Sequence, residues 1–310
     1  MKFRYARHTN ALQPIIDFYT HVMGFEVLGN FENHAGYDGV FLGLPGNDWH
    51  LEFTSSEQAP QHQADADDLL VFYCYSEAER QAIVRASMAM GHHPVQSTNP
   101  YWQEHGIQLN DPDGYGLILA LQEIALKADD ICTRSAREKG LHTWNNLVKY
   151  VQQLPYGRNA TRTNFELVLT EGRGTCSTKH ALLKKIADVN GIADVKLIMG
   201  VYKMDEENSP AIDNVLSNAQ IQYVPEAHCY LKINGRRLDI MSPASDIDQL
   251  MPYMIEETEI IPEQTGTFKV EYHRTFMQQW VKNHLPERDF EEVWAIREQC
   301  ITAMTSKQSV

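Results

Sequence analysis

The sequence predicts an α+β protein of two domains, and three observations carry that expectation. A strand–helix–three-strand pattern occurs twice in the first 124 residues, at an offset of about 67 residues. The charge balance then changes: residues 1–124 carry 5 Lys+Arg against 16 Asp+Glu, a net of −11, and residues 125–310 carry 22 against 25, a net of −3. Finally, a glycine-bearing loop in the second part opens a helix whose first turn holds a cysteine, and a hairpin follows with a histidine and an aspartate on one face. A chain of 310 residues exceeds one ordinary domain. The composition shift in EIALKADDICTRSAREKG places the boundary, giving domains at 1–124 and 142–310 with a linker at 125–141.

Composition narrows the function classes. The chain is 43% hydrophobic and 22% charged, as a globular protein is. No run approaches the ~18–20 apolar residues of a membrane span, and MKFRYARHTN has no apolar signal region. The five cysteines (74, 132, 176, 229 and 300) are scattered, with no C-x-x-C. They fit free thiols in a reducing cytoplasm. With a net charge of −14, nucleic acid and anionic membranes are not expected partners.

In the first copy, FRYAR (3–7) is a strand and LQPIIDFYTHVMG (12–24) a helix with Ile15, Ile16, Tyr19, Val22 and Met23 on one face. In the second, LLVFYC (69–74) is a strand and EAERQAIVRASMAMG (77–91) a helix. Gly24 and Gly91 end the two helices. FEV, GVFLGL (39–44) and HLEFT (50–54) supply the strands of the first copy; HHPV, HGIQLN (105–110) and YGLILAL (115–121) supply those of the second. DPDG (111–114) is the turn between the last two.

The helix ending FYTHVMGFEVLG, the strand HLEF and the run YWQEHGIQLNDPDGYG resemble the vicinal-oxygen-chelate superfamily of glyoxalase I, bleomycin-resistance proteins and extradiol dioxygenases. The resemblance covers about residues 3–122 and implies paired βαβββ units around a cavity. Metalloenzymes of that superfamily hold their ion with four His or Glu ligands. Here His8 and Glu52 stand at two ligand places, while the strands 69–74 and 117–120 offer no imidazole or carboxylate. The resemblance therefore implies a residual half-site without metal or other cofactor. The bleomycin-resistance branch implies a metal-free small-molecule pocket, with Tyr37, Trp49, Tyr101 and Trp102 as candidate lining.

In the second half, TWNNLVKYVQQLPYG (143–157) is a helix. Ala181, Leu182, Leu183, Ile186 and Ala187 mark the face of another, which Asn190-Gly191 ends. Gly172 and Gly174 precede it, so Cys176 lies in its first turn. Unpaired N–H groups and the positive end of the helix dipole lower a thiol pKa there and can hold an oxyanion. A nucleophilic cysteine needs a base, and the base an orienting group. Asn234-Gly235 in HCYLKINGRRLDIMSP signals a two-residue type I′ hairpin. Its register puts His228, Tyr230, Asp239 and Met241 on one face, with His228 and Asp239 diagonal neighbours roughly 7 Å apart at the backbone. Cys229 faces the other way. His180, four residues after Cys176, is an alternative base, and Arg173 a candidate for a substrate carboxylate or phosphate.

The order Cys176 in GRGTCSTKHALL, His228 in AHCYLKINGRRLDI, then Asp239 resembles the transglutaminase-like superfamily, with its papain-like α+β core. This resemblance spans about residues 140–243. The sequence departs from that pattern in Cys229 after the histidine and in a short His–Asp interval. The expected fold is thus a paired βαβββ module followed by a papain-like/transglutaminase-like α+β domain. Beyond it, TFMQQWVKNHL and DFEEVWAIREQCITAM read as packing helices, with Trp280, Val281 and Leu285 in a stripe and TSKQSV as a frayed tail.

The expected function is a cysteine-dependent amide or acyl hydrolase or acyltransferase. Cys176 would be the nucleophile, His228 the base and Asp239 the orienter. A small-molecule or peptide-amide substrate is implied. Two alternatives stand beside it: a non-catalytic binding or resistance protein using the N-terminal pocket, and a metal-dependent lyase or dioxygenase in the N-terminal domain.

Overall fold

The computed structural model describes residues 2–307. The chain forms two compact units, Met1–Ile124 with Asn234–Arg236, and Ala125–Ile233 with Arg237–Val310. No helix among the described residues is long and apolar enough to cross a membrane.

The first module of the first unit runs β1 (Phe3–His8), α1 (Leu12–Asp17), β2 (Glu26–His34), β3 (Tyr37–Gly43) and β4 (Trp49–Ser56). Its sheet has the order β1-β4-β3-β2, with β1 parallel to β4. The second runs β5 (Leu69–Cys74), α2 (Glu77–Ala89), α3 (Pro100–His105), β6 (Gly106–Asn110) and β7 (Gly116–Leu121), in the order β5-β7-β6 with β5 parallel to β7. In both, the first strand lies beside the last, so the sequence repeat is also a topological one. The α1 helix continues as a wide π turn over Phe18–Val22, which keeps Ile15, Phe18, Tyr19 and Val22 together in the core.

The second copy departs from expectation after α2. The strand read at HHPV is reduced to one bridge, Val95 with Gln108. Pro94 has no N–H to offer a ladder, and Asn99 caps the short helix α3, which starts at Pro100. The DPDG turn does more than reverse the chain. Asp111 and Asp113 accept from the Arg7 guanidinium at 2.5 and 3.1 Å, and Tyr19 Oη donates to Asp111 at 3.1 Å. The guanidinium lies over the Phe53 and Tyr115 rings, 4.9 and 4.0 Å from their centroids. A fully buried ion pair therefore joins β1 of one module to the last turn of the other.

The second unit begins earlier than the sequence suggests. Residues 125–141, expected as a linker, carry α4 (Ile131–Glu138), capped by the Asp130 side chain and with Cys132, Thr133, Ser135 and Ala136 buried. Small residues make this buried face, so its polar composition hid it. Next come α5 (Trp144–Gln153), α6 (Glu166–Thr170), α7 (Cys176–Val189), β8 (Val195–Met204), α8 (Asp213–Ala219), β9 (Val224–Ile233), β10 (Arg236–Leu238) and β11 (Met254–Ile260). Then α9 (Thr267–His284) and α10 (Phe290–Lys307) close the described chain. The sheet order is β10-β9-β8-β11, and β8 is antiparallel to both its neighbours. Asn234 and Gly235 have φ of 48° and 79°, both in the left-handed region that a type I′ turn requires. The α7 helix packs on β8 and β9 through Ala181, Leu182, Leu183, Ile186 and Ala187, all fully buried. Trp280 and Val281 are buried and Leu285 half-buried in the cluster that joins α9 and α10 to the sheet. Thr305–Lys307 complete α10, so this part of the stretch read as a frayed tail is helical; Gln308–Val310 lie outside the described residues.

Candidate active site

Cys176 is the first residue of α7, and the start of that helix is fixed by its own sequence. Thr175 Oγ1 accepts from the Thr178 N–H at 3.3 Å, and Thr178 Oγ1 accepts from the Thr175 N–H at 2.9 Å, a reciprocal cap. Gly174 is required by close approach: a Cβ there would stand 2.9 Å from Lys179 Cγ and 3.0 Å from Thr178 Oγ1. The loop and cap together set where the sulfur emerges. Among the described cysteines Cys74, Cys132, Cys229 and Cys300 are buried, and Cys176 alone is half-buried.

His228 on β9 and Asp239 just beyond β10 meet as the hairpin register predicts. His228 Nε2 bonds Asp239 Oδ2 at 2.8 Å, and Asp239 Oδ1 accepts the Met241 N–H at 2.8 Å. With Nε2 committed, Nδ1 is the ring nitrogen left for the Cys176 thiol. Burial works against the charged form of all three groups, yet their mutual charges prevail. Burial alone would raise the Cys176 thiol, but the Lys269 ammonium and the His228 imidazolium bring it down to about 6. Burial would lower His228, but Asp239 and the thiolate hold it well above the ordinary imidazole value. Burial would likewise raise Asp239, and His228 keeps it below the usual carboxylate range. The arrangement favours a thiolate–imidazolium pair above about pH 6, with the carboxylate behind the imidazole.

His180 does not have the freedom a base needs. It is fully buried, its Nδ1 donates to the Cys176 carbonyl at 2.6 Å, and its Nε2 accepts the Ile240 N–H at 2.8 Å. Burial lowers its pKa to about 4, so it stays neutral and ties α7 to the segment after β10. Its Nε2 also stands 3.5 Å from Asp239 Oδ1, but an unprotonated nitrogen that already accepts the Ile240 N–H makes no ion pair there. Lys179 makes the same connection. It is fully buried and donates to the Leu154 and Met241 carbonyls at 2.5 and 2.7 Å. Arg173 is exposed and bonds Glu171 at 3.3 Å, away from the thiol.

Cys176 lines two cavities. One, about 210 Å³, includes Tyr202, Ser209, His228, Asp239 and Met241. The other, about 310 Å³, includes Ser177, Glu226, Lys269 and Arg297. Sequence reasoning missed this second set. Lys269 lies on α9, 93 positions beyond Cys176, and nothing in its neighbourhood marks it. Lys179 reads in sequence as an ordinary solvated helix lysine.

In the first unit a cavity of about 460 Å³ is lined by Phe25, Trp49, Leu51, Leu70, Phe72 and Ile83. Of the four expected aromatics, only Trp49 lines it. Tyr37 borders a separate, polar depression with Asn10, Asn33, Ser56 and Gln58. Tyr101 and Trp102 sit together on α3, with Tyr101 59% exposed. His8 and Glu52 point to the same sheet face, on adjacent strands, but each is committed elsewhere. His8 Nδ1 bonds Thr54 Oγ1 at 3.0 Å and Nε2 bonds the Gln58 carbonyl at 2.9 Å. Glu52 accepts from Arg4 at 3.0 Å. A guanidinium on the carboxylate and both imidazole nitrogens in use do not fit a divalent ion. Among the described residues, no three His, Cys, Asp or Glu side chains are grouped to hold one.

Comparison with known proteins concerns the first unit. The YycE-like N-terminal domain matches residues 3–54 and the YycE-like C-terminal domain residues 67–120. The uncharacterized protein YycE of Bacillus subtilis (strain 168) is 42% identical over 120 residues, which are 38% of this chain and 85% of that protein. A crystal structure of a YycE protein of unknown function from Bacillus subtilis is 42% identical, covering 38% of this chain and 88% of the other, with a TM-score of 0.36. The trypanothione-dependent glyoxalase I of Leishmania major is 20% identical (44% of this chain, 89% of that one, TM-score 0.32). The fosfomycin resistance protein FosX of Listeria monocytogenes is 12% identical (38% and 88%, TM-score 0.30). Through residues 3–120 the chain belongs to the YycE-like family.

Proposed function

We propose that the chain is a cysteine-dependent acyl hydrolase or acyltransferase whose second domain is transglutaminase-like. The observation that carries this reading is the convergence of Cys176, His228 and Asp239 from a helix start, a strand and a post-strand turn, with the thiol held down to about 6. The Cys176 thiolate adds to the carbonyl carbon of an amide or ester. The N–H groups at the start of α7 face the oxygen that becomes negative. Collapse of that intermediate expels the amine or alcohol, which takes the proton from His228, and leaves a thioester. His228, now neutral, takes a proton from water or an acceptor amine as it attacks the thioester, and the thiolate returns as leaving group. Asp239 holds the imidazole through Nε2 and balances its charge. The substrate is a small molecule or peptide amide.

The test is turnover of a panel of amides and esters, with and without an amine acceptor, by the wild type and by Cys176→Ala. Product formation that disappears in Cys176→Ala, with the thermal midpoint held, is the expected result. Equal turnover by the variant removes the reading.

The apolar 460 Å³ cavity supports a second activity within the first domain, binding of a small apolar molecule without metal. A ligand raising the thermal midpoint of the wild type, and less so that of Trp49→Ala, is the expected signature.

A further inference from the structure

The 310 Å³ cavity beside Cys176 is cationic in a chain whose net charge is −14. Five cations line it. Three are neutralised: Arg297 by Glu226 at 2.5 and 2.6 Å, Arg158 by Glu298 at 2.8 Å, and Arg274 by Glu291. Two are left over. Arg162 has no hydrogen-bond or ion-pair partner among the described residues, and Lys269 donates to the Ser177 hydroxyl at 2.9 Å, a neutral acceptor. His273 adds no charge, because burial depresses its pKa and its Nε2 bonds the Pro225 carbonyl at 2.8 Å.

Resting on the acyl-transfer reading, we infer that the acyl substrate of Cys176 carries an anionic group, a carboxylate or a phosphate, seated in this cavity against Arg162 and Lys269. The chemistry of the step supplies the reason. In the resting site the charges facing Lys269 are the Cys176 thiolate and Glu226, and Arg297 holds Glu226 as well. On thioester formation the sulfur becomes neutral, and the half-buried ammonium keeps only the Ser177 hydroxyl and a carboxylate shared with Arg297. An anion delivered by the substrate restores the balance at the moment it is lost. Arg162, exposed at the mouth, attracts that group first. The cavity on the His228 side then takes the remainder of the substrate.

Two alkylating reagents that differ only in charge test this on the full chain. Iodoacetate carries a carboxylate, and iodoacetamide is its neutral amide. The ratio of their rates at Cys176 is compared with the ratio at glutathione, and the thiolate fraction cancels in each ratio. The inference expects the Cys176 ratio to exceed the glutathione ratio by roughly tenfold. It expects Arg162→Gln and Lys269→Met each to pull it back severalfold, and millimolar inorganic phosphate to slow the iodoacetate reaction. A Cys176 ratio equal to that of glutathione overturns the inference. So does a high ratio that persists in both variants, because the attraction then comes from the His228 imidazolium. Failure of the acyl-transfer reading is recognised separately, by an ordinary pH dependence of the iodoacetamide reaction.

Discussion

The two units of this chain use buried charge in opposite ways. In the first, Arg7, Asp111 and Tyr19 form a buried set closed by Asp113, the N–H groups of the DPDG turn and the rings of Phe53 and Tyr115. In the second, Cys176, His228 and Asp239 are equally interlocked, but the set opens into two cavities and its most reactive atom is half-buried. Burial and neighbouring charge shift Arg7 and Tyr19 in the first set, and Cys176, His228 and Asp239 in the second. Only the second leaves a thiol of lowered pKa at the edge of a cavity. What separates the two clusters is access, not the presence of shifted groups. Kinship teaches the same caution from the other side: the family match covers residues 3–120, and the reactive cluster stands outside that range.

The comparison is broken most directly in its closed set. Asp111→Asn keeps the volume and removes the charge opposite Arg7, whose Nε and Nη1 already have no hydrogen-bond partner. A loss of about 2–4 kcal/mol is expected in urea unfolding, because the buried cation keeps only the more exposed Asp113 as its counter-charge. A loss below about 1 kcal/mol would show that the pair is less buried than its exposures of 3% and 0% imply.

In the open set, His228→Ala removes one of the two cations that hold the thiol down. The sign follows from the direction of the shifts. A thiol at about 6 is mostly thiolate at pH 7, and as it rises toward its ordinary 9.0 the reactive fraction falls. Iodoacetamide labelling of Cys176 at pH 6.5 is expected to drop roughly tenfold or more, while the rate at high pH changes little. Labelling that follows the same pH curve in both proteins would place the whole effect in Lys269.

The smallest effect is expected at the half-site of the first unit. Glu52→Gln removes a pair whose Arg4 side chain is 53% exposed. It should change stability by no more than about 1 kcal/mol. Manganese or zinc at millimolar concentration should leave the thermal midpoint of wild type and variant alike unchanged. A metal-dependent rise lost in Glu52→Gln would reopen the metal reading.

Much of this was legible in the sequence because local rules set it. The NG pair requires two left-handed residues, so the His228–Asp239 register could be counted outward from the turn, and Gly172 and Gly174 in front of an apolar helical stripe placed Cys176 in its first turn. The linker was misread because α4 buries Cys132, Thr133, Ser135 and Ala136, a face too small and polar to show periodicity. The strand at HHPV was misread because one copy of a repeat was taken as a template for the other, and Pro94 broke the ladder.

By itself, then, the sequence determined the repeated module, the start of α7 at Cys176 and the hairpin that sets His228 beside Asp239, since each depends on local neighbours. Only the tertiary structure decided what surrounds them. Lys269 comes from a helix 93 residues away, Lys179 and His180 turn inward to grip the segment after β10, and the spare cation Arg162 acquires meaning only from the cavity it borders. Coulomb energy depends on distance and dielectric in space, and spacing along the chain encodes neither.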